Sequence, residues 1–132
     1  MTEPRWLALR TALALHETQL DRFRGTMGTP DRPSLEAALA YPQQILAARP
    51  EASLSHLAGA YAAGILKYHP FADGNKRTGF LSAYTFLKDN GRHLAAPQTE
   101  VVISMRLLAA GAWNEQRFTA WLESRLAAHS RH

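Results

Sequence analysis

The sequence predicts an all-α domain. Apolar residues recur three and four positions apart along most of the chain. No alternating strand pattern runs beyond a few residues, and Gly, Pro and Asn cut the chain into segments of helical length. With 132 residues, 46% hydrophobic and 20% charged, the chain suits one domain over 1–132 with a single core. No repeat or low-complexity tract interrupts it.

Residues 5–24 place Trp6, Leu9, Leu13, His16 or Glu17, Leu20 and Phe23 or Arg24 near helical spacing, and Gly25 and Gly28 stop this first helix. The stretch GTMGTPDRP concentrates turn formers and reads as a loop. Ser34 is the expected N-cap of a short helix, LEAAL, which Pro42 ends or bends. After a connector at 47–53, Ser53 or Ser55 caps a third helix through Leu57, Ala58, Tyr61, Ile65 and Tyr68. Pro70 breaks that pattern directly after His69. Helix resumes near Asn75, carries Phe80, Tyr84 and Leu87 on one face, and stops at Asn90-Gly91. Pro97 or Thr99 restarts the chain for EVVISMRLLAAG. Its β-branched members admit a strand, but its length and the spacing of Val102, Met105, Leu108 and Ala109 favour helix. Asn114 caps a last helix holding Phe118, Trp121, Leu122 and Leu126.

The chain contains no cysteine, which rules out disulfides and thiolate metal sites and is compatible with a reducing compartment. Its start, MTEPRWLALRTALALHETQL, mixes charges into its apolar positions and shows no cleavage signal. No run approaches the roughly 20 apolar residues of a membrane span, so a soluble cytoplasmic protein without membrane contact is expected. Fifteen Lys and Arg against eleven Asp and Glu leave a charge of +4, suited to an anionic partner. The cations are scattered, with no basic run and no interleaved aromatics, so direct nucleic-acid binding is not expected. His16 and Glu17 face different sides of their helix, and no other histidine pairs with carboxylates at metal-binding spacing, so no zinc site is expected.

The chemistry concentrates in HPFADGNKRTGF, residues 69–80. Pro70 ends one helix, Gly74 permits a tight turn and Asn75 opens the next helix, whose N-terminus offers N–H groups and partial positive charge to a phosphate. Arg77 brings a planar fork for phosphate oxygens, Lys76 a point charge, and Asn75 a hydrogen-bonding amide. The stretch is not a Walker A loop, because Lys76 lies between the two glycines and no Gly-Lys pair occurs. Asp73 supplies a carboxylate of the kind that holds Mg²⁺ beside phosphate oxygens. His69 is placed to take a proton from an incoming hydroxyl. Singly, each has a plainer reading: a capping histidine, a turn aspartate, solvated cations. Side by side, a base, a metal ligand and a phosphate clamp point to phosphoryl or nucleotidyl transfer. Phe71 reads as a core anchor for the loop.

At these residues the chain resembles the Fic/Doc superfamily, whose loop reads roughly H-x-F-x-[DE]-G-N-x-R. His69, Phe71, Asp73, Gly74, Asn75 and Arg77 match it. The Fic branch usually continues G-R-x-x-R. Here Lys76-Arg77 stand at that place and Phe80 occupies the position of the second arginine, as in the Doc, or death-on-curing, branch. The segments LALHETQLDRFRG, SLEAALAYPQQ and NEQRFTAWLESRL also fall in the order of Doc-like chains. The resemblance implies a compact helical domain with the motif loop between two central helices. It also implies a toxin of a toxin–antitoxin pair that moves the γ-phosphate of ATP to a threonine of elongation factor Tu and so blocks translation.

Carried over by residue, His69 would deprotonate the target hydroxyl and Asp73 would hold Mg²⁺. Gly74, Asn75, Lys76 and Arg77 would bind the phosphates of ATP. A lysine where Fic has glycine would fill part of the usual phosphate site and reverse the nucleotide, presenting its γ-phosphate. The implied partner is a small Phd-like antitoxin, whose flexible tail would lie as a helix over the site. Two stretches depart from the family pattern. GTMGTPDR replaces a GIRD-like stretch, which bears on target docking, and TAWLES only approximates the Fic inhibitory motif, with Phe80 leaving Glu123 no arginine to pair. Self-inhibition by Glu123 is therefore not expected. Lys67 is a candidate extra basic contact, or a solvated helix lysine. The competing functions are AMP transfer by the same loop, and a non-catalytic regulatory or nucleic-acid-binding module.

Overall fold

The computed structural model describes residues 3–23 and 28–127, with side chains in the first helix as far as Gln19. Among them are six helices and no strand: α1 (Leu9–Phe23), α2 (Arg32–Ala48), α3 (Leu54–Tyr68), α4 (Asn75–Asp89), α5 (Gln98–Ala109) and α6 (Glu115–Ser124). The all-α expectation holds. No helix is long and apolar enough to cross a membrane.

α3 is the axis. Ser53 caps it by accepting the His56 N–H, and the helix buries residues on nearly every side, from Leu57 and Ala58 to Tyr61 and Ile65. Its small residues let neighbours approach closely. A Cβ on Gly59 would meet Thr119 of α6, and one on Gly64 would stand 3.1 Å from the carbonyl oxygen of Ala38 in α2. Helices α2, α4, α5 and α6 accordingly all touch α3. Tyr68, expected on its apolar face, is 37% exposed because the last turn runs past the core.

α2 departs from the expected short helix. It begins after Asp31, not Ser34, because Pro33 sits in its first turn, where a missing N–H costs nothing. The Ser34 hydroxyl instead donates to Asp31 Oδ2 at 2.6 Å. Pro42 neither ends nor interrupts the helix: it lies buried inside it. Proline removes the bond to the carbonyl four residues back, which is Ala38. That carbonyl faces Gly64, so close packing of α3 supports the turn that proline weakens.

The chain before α1 is not helical, although Trp6 had helical spacing. Side-chain partners hold it extended. Asn90 Oδ1 accepts the Arg5 N–H at 2.8 Å and Asn90 Nδ2 donates to the Arg5 carbonyl at 3.0 Å. The Leu7 N–H donates to the hydroxyl of Tyr61 at 3.0 Å. The predicted stop at Gly25, the position of Arg24, and the side chains of Leu20 and Phe23 lie outside the described residues.

α4 starts at Asn75 and stops at Asn90-Gly91 as predicted, with Gly91 at φ 83°. α5 is helix, but its inward face is Val101, Ser104 and Met105, while Val102 is 41% exposed. α6 is capped by Asn114, whose side chain accepts the Arg117 N–H. It buries Phe118, Trp121 and Leu122 and ends before Leu126, which instead forms an isolated antiparallel bridge with Leu94. Glu100 of α5 accepts hydrogen bonds from Arg125 and from Trp121 Nε1, and the Arg125 contact holds its carboxyl below the usual range.

Two outcomes test this packing. Tyr61→Phe strands the buried Leu7 N–H and should cost about 1–3 kcal/mol in denaturant unfolding. Burial pushes the Tyr61 phenol from 10.0 up to about 12. A group raised in the folded state contributes its full stability below pH 10 and loses it as pH rises toward 12. Stability should therefore fall more steeply over that window in the parent than in Tyr61→Phe; equal slopes would contradict the assignment. Gly64→Ala should lower the melting temperature, by the equivalent of about 1–3 kcal/mol, through pressure on Ala38.

Candidate active site

The motif loop spans the gap between α3 and α4. His69 ends α3 in the left-handed region, φ 49° and ψ 57°, with its N–H on the Ile65 carbonyl at 2.9 Å. It is the sole non-glycine residue with positive φ among those described. The following proline disfavours the helical region for His69, so the chain must turn there. Backbone held in a sparsely populated region is commonly found where a side chain must point in one direction, and His69 is exposed. Pro70 is buried, and its carbonyl accepts the Asp31 N–H at 2.8 Å, fastening the loop to the start of α2.

Phe71 is the core anchor predicted for it, 2% exposed. Its backbone is gripped at both polar groups by one side chain: Asn75 Oδ1 accepts the Phe71 N–H at 3.2 Å, and Asn75 Nδ2 donates to the Phe71 carbonyl at 2.7 Å. This pairing fixes which end of the amide is which. Nδ2 also lies 3.4 Å from His69 Nε2, a long contact that sets the ring beside the anchor.

Gly74 precedes α4 with φ 82° and ψ 14°, a conformation that a side chain resists, and its N–H donates to Asp73 Oδ1 at 2.8 Å. Asp73 thus stands at the positive end of α4. Beyond it come Lys76 and Arg77, both exposed, on the first turn. Gly28 packs closely across the loop, where a Cβ would stand 3.0 Å from that of Ala72. The departing stretch GTMGTPDR therefore abuts the motif at Gly28, although residues 25–27 of it are not described.

All six residues assigned from sequence, His69, Asp73, Gly74, Asn75, Lys76 and Arg77, line one cleft of about 870 Å³. The opposite wall, from α5, is mostly apolar and includes Val101, Val102 and Met105, with Arg106 among them. Phe80, where Fic proteins carry an arginine, lies between these walls. Lys67 does not line the cleft; its Nζ lies 5.6 Å from the Tyr68 ring centroid. Glu123 accepts a hydrogen bond from Ser55 and is not part of the cleft.

The arrangement refines one assignment. The Asn75 side chain is buried and committed to Phe71, which leaves its backbone N–H at the start of α4, rather than its amide, as the group that could meet an anion. Sequence reasoning missed His16 and Gln19, two buried polar residues one turn apart on α1 that face the motif. It also missed Arg106. A histidine inside the apolar stripe of α1 was the available signal for the first; nothing local marked the others.

The Fic/DOC family model matches residues 6–87, from the extended lead-in to the end of α4. A protein named Protein kinase doc, from Escherichia phage P1, is 33% identical over 79 residues, which cover 60% of this chain and 63% of that protein. The match thus spans less than two thirds of that relative's length. The matched region holds the whole motif loop and both helices that carry it, and on this agreement of sequence, fold and site the chain belongs to the Fic/Doc family, with its likeness on the Doc side.

Proposed function

We propose that this protein transfers the γ-phosphate of ATP to a protein hydroxyl, with a threonine of elongation factor Tu as the first candidate. We further propose that it acts as the toxin of a toxin–antitoxin pair in the cytoplasm, restrained by a Phd-like antitoxin. One observation carries the reading: a histidine, a carboxylate and a helix N-terminus with two cations all open onto one cleft. The similarity to a protein named as a kinase supports it.

The residues divide the chemistry among them. His69 Nε2 would accept the proton of the incoming hydroxyl; its contact with Asn75 is long enough to yield to a shorter one from substrate. Lys76, Arg77 and the first-turn N–H groups of α4 would hold the phosphate oxygens, Arg77 through its planar fork. Among the described residues no cluster of three or more His, Asp or Glu could cage a metal. The donor set therefore fits an ion that arrives with the nucleotide, takes one carboxylate and keeps phosphate and water oxygens, which is the habit of Mg²⁺. Asp73 would hold it, and its charge would offset that developing on the phosphate oxygens. Val101, Val102 and Met105 of the α5 wall would exclude water, while Arg106 adds a cation on the same wall.

With ATP labelled at the γ-phosphate, label should pass to elongation factor Tu or to another protein of a cell extract. In His69→Ala it should fall by about 10²–10⁴-fold without loss of fold, since the ring is exposed. Label from the α-phosphate instead would establish AMP transfer and overturn the role given to Lys76. Arg77→Ala should weaken nucleotide binding by about 10- to 100-fold, the cost of a charge-assisted hydrogen bond; unchanged binding would show the clamp misplaced. Asn75→Ala should reduce stability by about 1–3 kcal/mol and transfer together, because the Phe71 turn loses its brace.

A further inference from the structure

His16 of α1 lies beneath the motif loop, 5% exposed, with its ring stacked on Phe71 at a centroid distance of 3.7 Å and an interplanar angle of 8°. Its Nε2 lies 2.8 Å from the carbonyl oxygen of Asp73. A carbonyl only accepts, so Nε2 carries the proton and donates. The same ring edge lies 3.6 and 3.7 Å from where a Cβ of Gly74 would stand. One buried side chain therefore meets Phe71, Asp73 and Gly74, although it lies 57 residues from Asp73 in sequence.

We propose that His16 is a positioning residue that sets the direction of the Asp73 carboxylate by clamping the peptide between Asp73 and Gly74. A trans peptide is planar and places its C=O and N–H on opposite sides. No cis peptide occurs in the described chain. Holding the Asp73 carbonyl down against His16 therefore turns the Gly74 N–H up and away from α1. There it donates to Asp73 Oδ1 at 2.8 Å, so the grip on the carbonyl passes through one rigid plane to the carboxylate. The stack on Phe71 fixes the ring, and Asn75 fixes Phe71 from the other side. Gln19, one turn along α1, reaches the same cleft, so this face of α1 is the floor of the loop. His16 touches no substrate and acts through Asp73. Its consequence for metal and nucleotide rests on the reading under Proposed function; the clamp itself does not.

Two variants separate the donor from the ring. His16→Phe keeps the stack and loses the donor, while His16→Gln keeps an amide N–H at similar reach and loses the ring. Amide hydrogen exchange is read at Gly74 in the full chain without nucleotide. It should speed up by about tenfold in His16→Phe, the worth of one hydrogen bond, and stay within about threefold of the parent in His16→Gln. Exchange in the core of α3 should not change in either. In the same proteins, the Mg²⁺ concentration that half-saturates ATP binding should rise about tenfold in His16→Phe and recover in His16→Gln. Parent-like exchange at Gly74 in His16→Phe overturns the proposal, as does acceleration in a folded His16→Gln equal to that in His16→Phe. Should His16→Phe not fold, His16→Gln alone decides: exchange at Gly74 within about threefold of the parent supports the proposal, and acceleration of about tenfold overturns it. A parent protein that binds no Mg²⁺ and ATP refutes the nucleotide reading, and the exchange result then still decides the clamp.

Discussion

The side chain of Asn75 takes both backbone hydrogen-bonding groups of Phe71, and the cleft depends on that pairing. Two helices packed side by side must be joined by a reversal, and the residues of a reversal leave backbone polar groups without helical partners. Here one amide satisfies two of them in a buried place, which lets the aromatic ring of Phe71 sink into the core while His69, Ala72 and Asp73 stay at the surface. Burying such a ring is worth about 1.5–3 kcal/mol. The loop is thus anchored at its middle, and His69 and Asp73 are held out from that anchor on opposite arms. α4 repeats the device at its other end, where Asn90 grips Arg5 and fastens the lead-in.

The charge distribution follows from the same geometry. Because α4 begins at the anchor, its positive end faces the cleft together with Lys76 and Arg77, and Asp73, the one carboxylate there among the described residues, stands where the helix dipole favours an anion. The second wall comes from α5, which approaches α4 over Gly79, where a Cβ would lie 3.5 Å from Met105 Cε. The cations of α4 thus face a wall that is apolar at Val101, Val102 and Met105 and carries Arg106 among them.

What sequence could reveal followed from how local each feature is. His69 to Arg77 are contiguous, and their spacing alone places a base, a carboxylate and cations around one turn. Phe71 was legible as an anchor for the same reason. The ends of α4 and the cap of α6 were legible because Asn and Gly act within a few residues. Pro42 does not end its helix but rides buried inside it, and the close approach of Gly64 to the Ala38 carbonyl lies in another helix that local sequence does not show. The face of α5 was displaced by one position because Val101 and Val102 are equally apolar, and the polar Ser104 is the residue that turns inward. Trp6 had helical spacing but is held extended by Asn90 and Tyr61, partners far away in sequence. His16 was read as one histidine of a helical stripe; its link to Asp73 exists only once α1 is packed beneath the loop.

The central claim is that the start of α4 and its flanking loop form a single phosphate site. Backbone amide resonances followed during titration with ATP, with and without Mg²⁺, test it most directly. The account predicts saturable shifts centred on Gly74, Asn75 and Lys76, extending to α5 at Val101 and Met105, and tighter with Mg²⁺ than without. Shifts centred on another surface, or none at the start of α4, would contradict it.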